Sequence, residues 1–531
     1  MTTLTPREPY SPEELERLYP KSLKLQLVQV VSLNPPYRSS RQPRANPSQF
    51  LRHGERTPVS SRFQNTGLAP CNSPPNPVPF HTMRPPQLTL LRNEDLSSWN
   101  GFQFRRKMES FGNRDQSVVA VGAGNEIEGI CQHGELTDKG RETTYALGKR
   151  LRHLYVDQLG FMPAIKSDSE DMYLRATPIP RALESLQQAF WGMYPTSART
   201  LNFPPPVIVA RSVSEETLFP NEGNCRRFRQ LARLFADRAA SRWNDSEQME
   251  YLNKLWSKYM PETSPKVAVD AHPRLSGIMD TINATDAHGP ATKLPSEFYD
   301  KKGRAVIDRI AVEEWFAGYN ESTEYRKLGI GALMGDVVDR MVSTAVDGGW
   351  RSETSASGSG KPEDGKSIKF AMSGCHDTTL AAILSSLNYF RKLPTTEPMP
   401  APSWRSSPTP RVATKKIGLF SSLLGNKPTT QQQLAPSETA RAPIESFPEE
   451  ARESLRKHYV RLRFNDQPVY IPGCASKPEN HLPGDESFCT LDAFKEIVDK
   501  FTPTNWQDEC MQNLGQGLHG PNNQERSPAG F

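Results

Sequence analysis

Long apolar runs are missing from this 531-residue chain. None approaches the ~18 to 20 residues that cross a bilayer, so no segment reads as a membrane-spanning helix. The opening MTTLTPREPYSPEELERLYP lacks the apolar centre of a secretory signal and the acid-poor, arginine-rich face of a transit peptide. A strong charge of one sign is also missing. The net charge is +5, from 65 Lys and Arg against 60 Asp and Glu, with no basic tail. That balance suits a small anionic substrate or a membrane surface and is too mild to argue for nucleic acid. Cysteine is scarce: Cys71, Cys131, Cys225, Cys375, Cys474, Cys489 and Cys510 show no metal-ligand spacing, and their odd number argues against a complete disulfide framework. Asn244, Asn283 and Asn320 open N-x-S/T sequons, which without an export signal are read as unused. These absences point to a soluble, cytoplasmic protein, with a mitochondrial location as the alternative.

What is present is a diluted core. Hydrophobic residues make up only 36% of the chain, against 47 prolines and 34 glycines, which implies a folded domain interrupted by loops. LKLQLVQVV (23–31) alternates apolar and polar residues as a strand does. A helix is expected from Thr137, as N-cap, to Tyr155, with Leu147, Leu151 and Leu154 on one face. MYL (172–174) reads as a buried strand leading through Pro178 and Pro180 into a helix with Leu183, Leu186 and Phe190. Cys225 to Val342 reads as helical. SIKFAMSG (367–374) is a strand that turns into a helix with Leu380, Ile383, Leu384 and Leu387. YVRLRF and QPVYI form a last strand pair before a helix near Leu491 to Phe501. Strands alternating with helices predict an α/β fold, a mostly parallel sheet flanked by helices with an inserted helical cap.

The expected organisation is an N-terminal segment (1–20), a core in three parts (21–210, 367–390, 451–515) and a helical cap (211–345). A flexible loop (346–366), a low-complexity insert (391–450) rich in Pro, Ser, Thr and Gln, and a disordered tail (516–531) complete it.

Three charged clusters fall at predicted strand ends, where open α/β sheets bind ligands. They are Arg52-His53-Gly54-Glu55-Arg56, Arg175 with Thr177 and Arg181, and His376-Asp377. Converging arginines suit the oxygens of a phosphoryl dianion. A neutral imidazole beside it can attack phosphorus, and a carboxylic acid can protonate the departing alkoxide. Asp377, at a helix start, is the candidate acid; the residues alone leave open which histidine attacks. Arg181, on the helix after its turn, is read as structural, His133 and His153 as solvent-facing or core residues, and Glu55 as having no catalytic role.

RHGERTP, LTDKGRETTYALGKRLRHLY, YLRATPIPRALESLQQAFWGMYP, GCHDTTLAAIL and HYVRLRFNDQPVYIPGC occur in the order seen in the histidine acid phosphatases. The chain resembles that family, branch 2 of the histidine phosphatases, and within it most resembles the type 6 lysophosphatidic acid phosphatases and the fungal acid phosphatases. The resemblance implies a phosphomonoesterase in which His53 becomes phosphohistidine and Asp377 is the proton donor. Arg52, Arg56, Arg175 and His376 are then the phosphoryl ligands. It implies no metal and no cofactor, and a small phosphate monoester, with a lysophospholipid as one candidate, as the partner. The alternative is a catalytically impaired phosphate-binding or scaffold member of the same fold; a phosphohistidine mutase is a further rival, against which the late His-Asp pair argues. One departure stands out: in the family the first strand runs almost directly into Arg-His-Gly, whereas here residues 32–49 intervene. They are read as a translated intron or, alternatively, as a looped-out insertion with the strand re-formed by SQFLRH.

Overall fold

In the computed structural model the described residues are 11, 13, 31–32, 48–60, 62–64, 109–111, 114, 116–119, 133–288, 294–346, 368–389, 441–465, 467–518 and 528–531. The expected strand before Val31, residues 33–47, the loop 352–366, residues 391–440, Cys71 and Cys131 lie outside them.

A seven-stranded sheet organises the chain. Its strands are β1 (Val31–Ser32), β2 (Ser48–Arg52), β3 (Met172–Ala176), β4 (Ile208–Val209), β5 (Phe370–Cys375), β6 (Arg463–Phe464) and β7 (Gln467–Pro468). They lie in the order β7-β6-β1-β2-β5-β3-β4, all parallel except the β6–β7 edge hairpin. The period of two along each strand divides the core. Leu51, Met172, Leu174, Ala176, Phe370 and Met372 pack with helices α1 (Asp138–Arg152) and α2 (Pro180–Met193). Phe50 and Cys375, out of phase with Leu51 and Phe370, join a second cluster with Phe228, Phe316, Val338 and Leu384. These come from α3 (Arg226–Trp243), α6 (Lys301–Glu321), α7 (Ala332–Val346) and α8 (Asp377–Ser386). Helices therefore cover both faces, as the alternation predicts.

The helical segment is not wholly apart from this core. Its distal part has its own cluster, centred on Trp256, Ile278, Phe298 and Ile307, built by α4 (Glu247–Trp256), α5 (Leu275–Ala287) and the start of α6. Its proximal helices α3 and α7 pack in the cluster shared with the sheet.

Ser48–Arg52 is the strand beside β5, paired through all five residues, as the alternative with the strand re-formed by SQFLRH expects, and Val31 lies on the neighbouring strand. One expectation changes in detail. YVRLRF is not one strand. It divides at Leu462, with Tyr459–Arg461 pairing antiparallel to Asp485–Thr490 in a separate three-stranded sheet while Arg463–Phe464 enters the main one. The buried Leu462 is the pivot, its carbonyl accepting from Val469 N at 2.8 Å.

Despite the odd cysteine count, two disulfides form, Cys225–Cys510 and Cys474–Cys489, and Cys375 is buried and unpaired. Among the described residues no helix is long and apolar enough to cross a membrane.

Helices α1 and α2 touch backbone to backbone. A Cβ added at Gly148 would lie 2.0 Å from the Ala189 carbonyl oxygen, and one at Gly192 would lie 2.1 Å from that of Tyr145. In a free helix Gly→Ala stabilises by about 1 kcal/mol. Here the clash reverses the sign: Gly148→Ala should destabilise by about 1–3 kcal/mol, read as a lowered midpoint in denaturant unfolding.

Candidate active site

Strands β2, β3 and β5 are parallel, so their carboxyl ends deliver Arg52–Gly54, Thr177 and His376–Asp377 to one edge. Two hydrogen bonds extend the ladders past the strands, His53 N to Cys375 O at 3.0 Å and Thr177 N to Gly374 O at 3.2 Å. The Arg-His-Gly loop is then clamped from both sides. Gly54 N donates to Ser185 Oγ on α2 at 3.0 Å, and that hydroxyl donates to Arg181 O at 2.7 Å. On the other side a Cβ at Gly54 would lie 2.2 Å from Gly140 O, and one at Gly140 would lie 2.2 Å from Glu55 O. No larger residue fits at either position. Thr137, the N-cap of α1, accepts from Gly140 N and donates to Glu55 O through both its backbone N and its hydroxyl. The Glu55 carboxylate accepts from Thr143 Oγ1 at 2.5 Å, which engages it with α1.

His53 is 2% exposed. Its Nδ1 lies 2.8 Å from the Gly54 carbonyl oxygen, an acceptor only, so Nδ1 carries the proton and Nε2 holds a lone pair. Nε2 is buried and has no hydrogen-bond partner among the described residues. Burial, then Arg181, Arg52, His376 and Arg56, hold the pKa of His53 well below its ordinary 6.5. His376 packs edge-on to His53, ring centroids 5.4 Å apart. Burial, Arg181, Arg56 and Arg52 push its pKa down in the same way. Its Nε2 lies 3.0 Å from Thr177 Oγ1, and its Nδ1 has no partner. If the Thr177 hydroxyl donates to Nε2, Nδ1–H becomes a donor toward whatever anion enters. Asp377 is fully buried; one oxygen accepts from Thr378 N at 2.8 Å, and the other lies 3.3 Å from Arg52 Nη2.

The arginines divide. Arg52 is 26% exposed and borders Asp377. Arg56 is buried, its Nη1 donating to Thr57 O at 3.1 Å and its Nη2 to Asp280 Oδ1 on α5 at 2.6 Å. Sequence reasoning takes Arg175 as a phosphoryl ligand and Arg181 as structural; the structure draws in Arg181. Arg175 shares a sheet face with Tyr173, and its Nη2 donates to the buried Glu216 at 2.6 Å and to Thr217 at 3.1 Å. Its Nε and Nη1 are buried without a hydrogen-bond partner among the described residues. Arg181, in the first turn of α2, supplies the largest charge effect on both. Burial and Arg56 press its own pKa down to about 10, and its Nε has no partner. The proline-marked reversal Thr177–Pro180 returns that first turn to the strand edge, and this was the signal available in the sequence. Asp280 had none: nothing near it in the helical segment marks it as facing the loop. Among the described residues no group of His, Cys, Asp and Glu is arranged to hold a metal.

The chain is similar to known proteins along most of its length. Residues 50–465 match the histidine phosphatase superfamily (branch 2). The chain is 33% identical over 496 residues to a probable acid phosphatase of Schizosaccharomyces pombe, covering 93% of this chain and 95% of that protein. It is 26% identical over 265 residues to lysophosphatidic acid phosphatase type 6 of Homo sapiens, covering 50% of this chain and 55% of that protein. Hafnia alvei phytase in complex with tartrate superposes with a TM-score of 0.43 at 12% identity, over 87% of this chain and 97% of that one. With a family match over most of its length and a relative above 30% identity along nearly all of it, the chain is a phosphatase and belongs to the histidine phosphatase superfamily, branch 2.

Proposed function

We propose that the protein is an acid phosphatase that hydrolyses phosphate monoesters through a covalent phosphohistidine on Nε2 of His53, with Asp377 as proton donor. The observation that carries this reading is the fixed tautomer of His53: Nδ1 bound to Gly54 O, and a bare, buried Nε2 among three arginines. In the first step the Nε2 lone pair forms a bond to phosphorus, the ester P–O bond breaks, and Asp377 gives its proton to the departing alkoxide. In the second, water attacks phosphorus, the Asp377 carboxylate takes the water's proton, and the P–N bond breaks to release phosphate and neutral His53. Arg52, Arg56, Arg181 and His376 hold the phosphoryl oxygens as charge moves onto them. Arg181 takes the place first given to Arg175.

The substrate is a small phosphate monoester. A lysophospholipid phosphate is the narrower candidate, supported by likeness to the type 6 lysophosphatidic acid phosphatases. The two disulfides favour an oxidising compartment over the cytoplasm.

His53→Ala should abolish turnover of an aryl phosphate, by about 10⁴-fold or more, and eliminate acid-labile labelling by ³²P-substrate. Asp377→Asn should slow an alkyl phosphate by about 10²–10⁴-fold and an aryl phosphate, whose phenolate leaves without help, far less. Equal losses would remove the donor role.

Arg181→Gln should lower kcat/KM by about 10²–10³-fold while the protein stays folded. Arg175→Gln should instead act on stability, by about 3–5 kcal/mol, because it strands the buried Glu216 carboxylate. The reverse pattern in kinetics and thermal melting would restore Arg175 to the site.

Protonated imidazole cannot attack, and His53 resists protonation because its pKa lies well below 6.5. The kcat/KM plateau should therefore persist as pH falls from about 7 to about 5. In Arg181→Gln the largest cationic push is gone, the His53 pKa rises, and the acidic limb should move to higher pH.

A further inference from the structure

One buried cation has no part in that chemistry. Arg62 is 6% exposed, yet among the described residues its Nε and Nη2 have no hydrogen-bond partner and its guanidinium forms no ion pair. A buried charge left unpaired is costly, and each such group in a folded protein calls for an explanation. The side chain crosses α5 over Gly277, where an added Cβ would lie 1.7 Å from Nη1; only glycine leaves it room.

Asp280, three residues further along the same helix, gives its Oδ1 to Arg56. Asp280 and Arg56 are the charged groups that act on Arg62, Asp280 pulling its pKa up while burial and Arg56 push it down. Arg56 acts on both histidines; Arg62 acts on neither. Arg62 is therefore one step outward from the phosphoryl-binding cations, on the side of the helical segment. A phosphorylated alcohol held at His53 has its organic part to place on some side of those cations, and Arg62 offers a planar fork of donors with no protein acceptor to fill it.

We propose that Arg62 is a specificity-determining residue that binds a second anionic group, phosphate or carboxylate, on the alcohol part of the substrate. This rests on the phosphomonoesterase reading above.

The test compares kcat/KM for matched pairs: fructose 1,6-bisphosphate against fructose 6-phosphate, and 3-phosphoglycerate against glycerol 3-phosphate, with 4-nitrophenyl phosphate as reference. The wild-type protein should favour the doubly anionic member of at least one pair. In Arg62→Gln that preference ratio should fall by about ten- to a hundredfold, with Arg62→Lys in between. The responding pair tells a second phosphate from a carboxylate. A ratio unchanged in Arg62→Gln, or a wild-type preference for the singly anionic member of both pairs, overturns the proposal. A role in packing alone would slow every substrate alike and leave the ratio unmoved. Should Arg62→Gln fail to fold, Arg62→Lys carries the comparison. Absence of 4-nitrophenyl phosphate hydrolysis by the wild-type protein would count against the phosphatase mechanism instead. The same ratio is then read from ligand-dependent shifts in melting temperature with the four compounds, and the same two outcomes decide.

Discussion

The backbone of Gly54 rests on the backbone of Gly140, and the geometry of the site depends on that contact. With no side chain between them, the first turn of α1 and the Arg-His-Gly loop lie as close as two chains can. Thr137 then reaches Glu55 O with two donors, and Ser185 secures Gly54 N from the opposite side. What this rigidity accomplishes is orientation: the Gly54 carbonyl is held where it selects the tautomer of His53. A loop displaced by ~1 Å would keep every catalytic residue and still forfeit about a hundredfold in rate.

The same clamp gathers like charges. Arg52, Arg56 and Arg181 crowd two buried imidazoles, and the cluster is tolerable because carboxylates on two other elements reach into it. Asp377 lies beside Arg52 at the start of α8, and Asp280 beside Arg56 on α5. Arg181 makes no such ion pair among the described residues, and burial, then Arg56, presses its pKa down. The site is thus short of negative charge where an incoming dianion would supply it, and the imidazoles stay neutral because they are buried and, further, surrounded by cations.

Much of this was legible in the sequence, and the failures have physical causes. Leu147 and Leu151 mark the buried face of α1, Leu154 continues it past the helix end, and Thr137 caps it; along the strands Met172, Leu174, Ala176, Phe370 and Met372 go to one core cluster, Tyr173 and Ala371 to another. Those patterns are local, and they hold. Arg181 could not be placed locally, since its approach to the two histidines depends on how the reversal Thr177–Pro180 returns α2 to the strand edge. SQFLR takes the place beside β5, as the reading of a re-formed strand has it, and Val31 stands one strand over. Asp280 and Arg62 were invisible for the reason that they meet the site across the fold, through Arg56 and Gly277.

The Cys225–Cys510 bond has a topological consequence. It joins residues 285 apart, closing a covalent ring that contains α3 to α8, β5 and the His376-Asp377 pair. A single backbone cut anywhere between those cysteines opens the ring without dividing the molecule. The nicked protein keeps His53 and Asp377 on one covalent body, and only reduction lets its two pieces part.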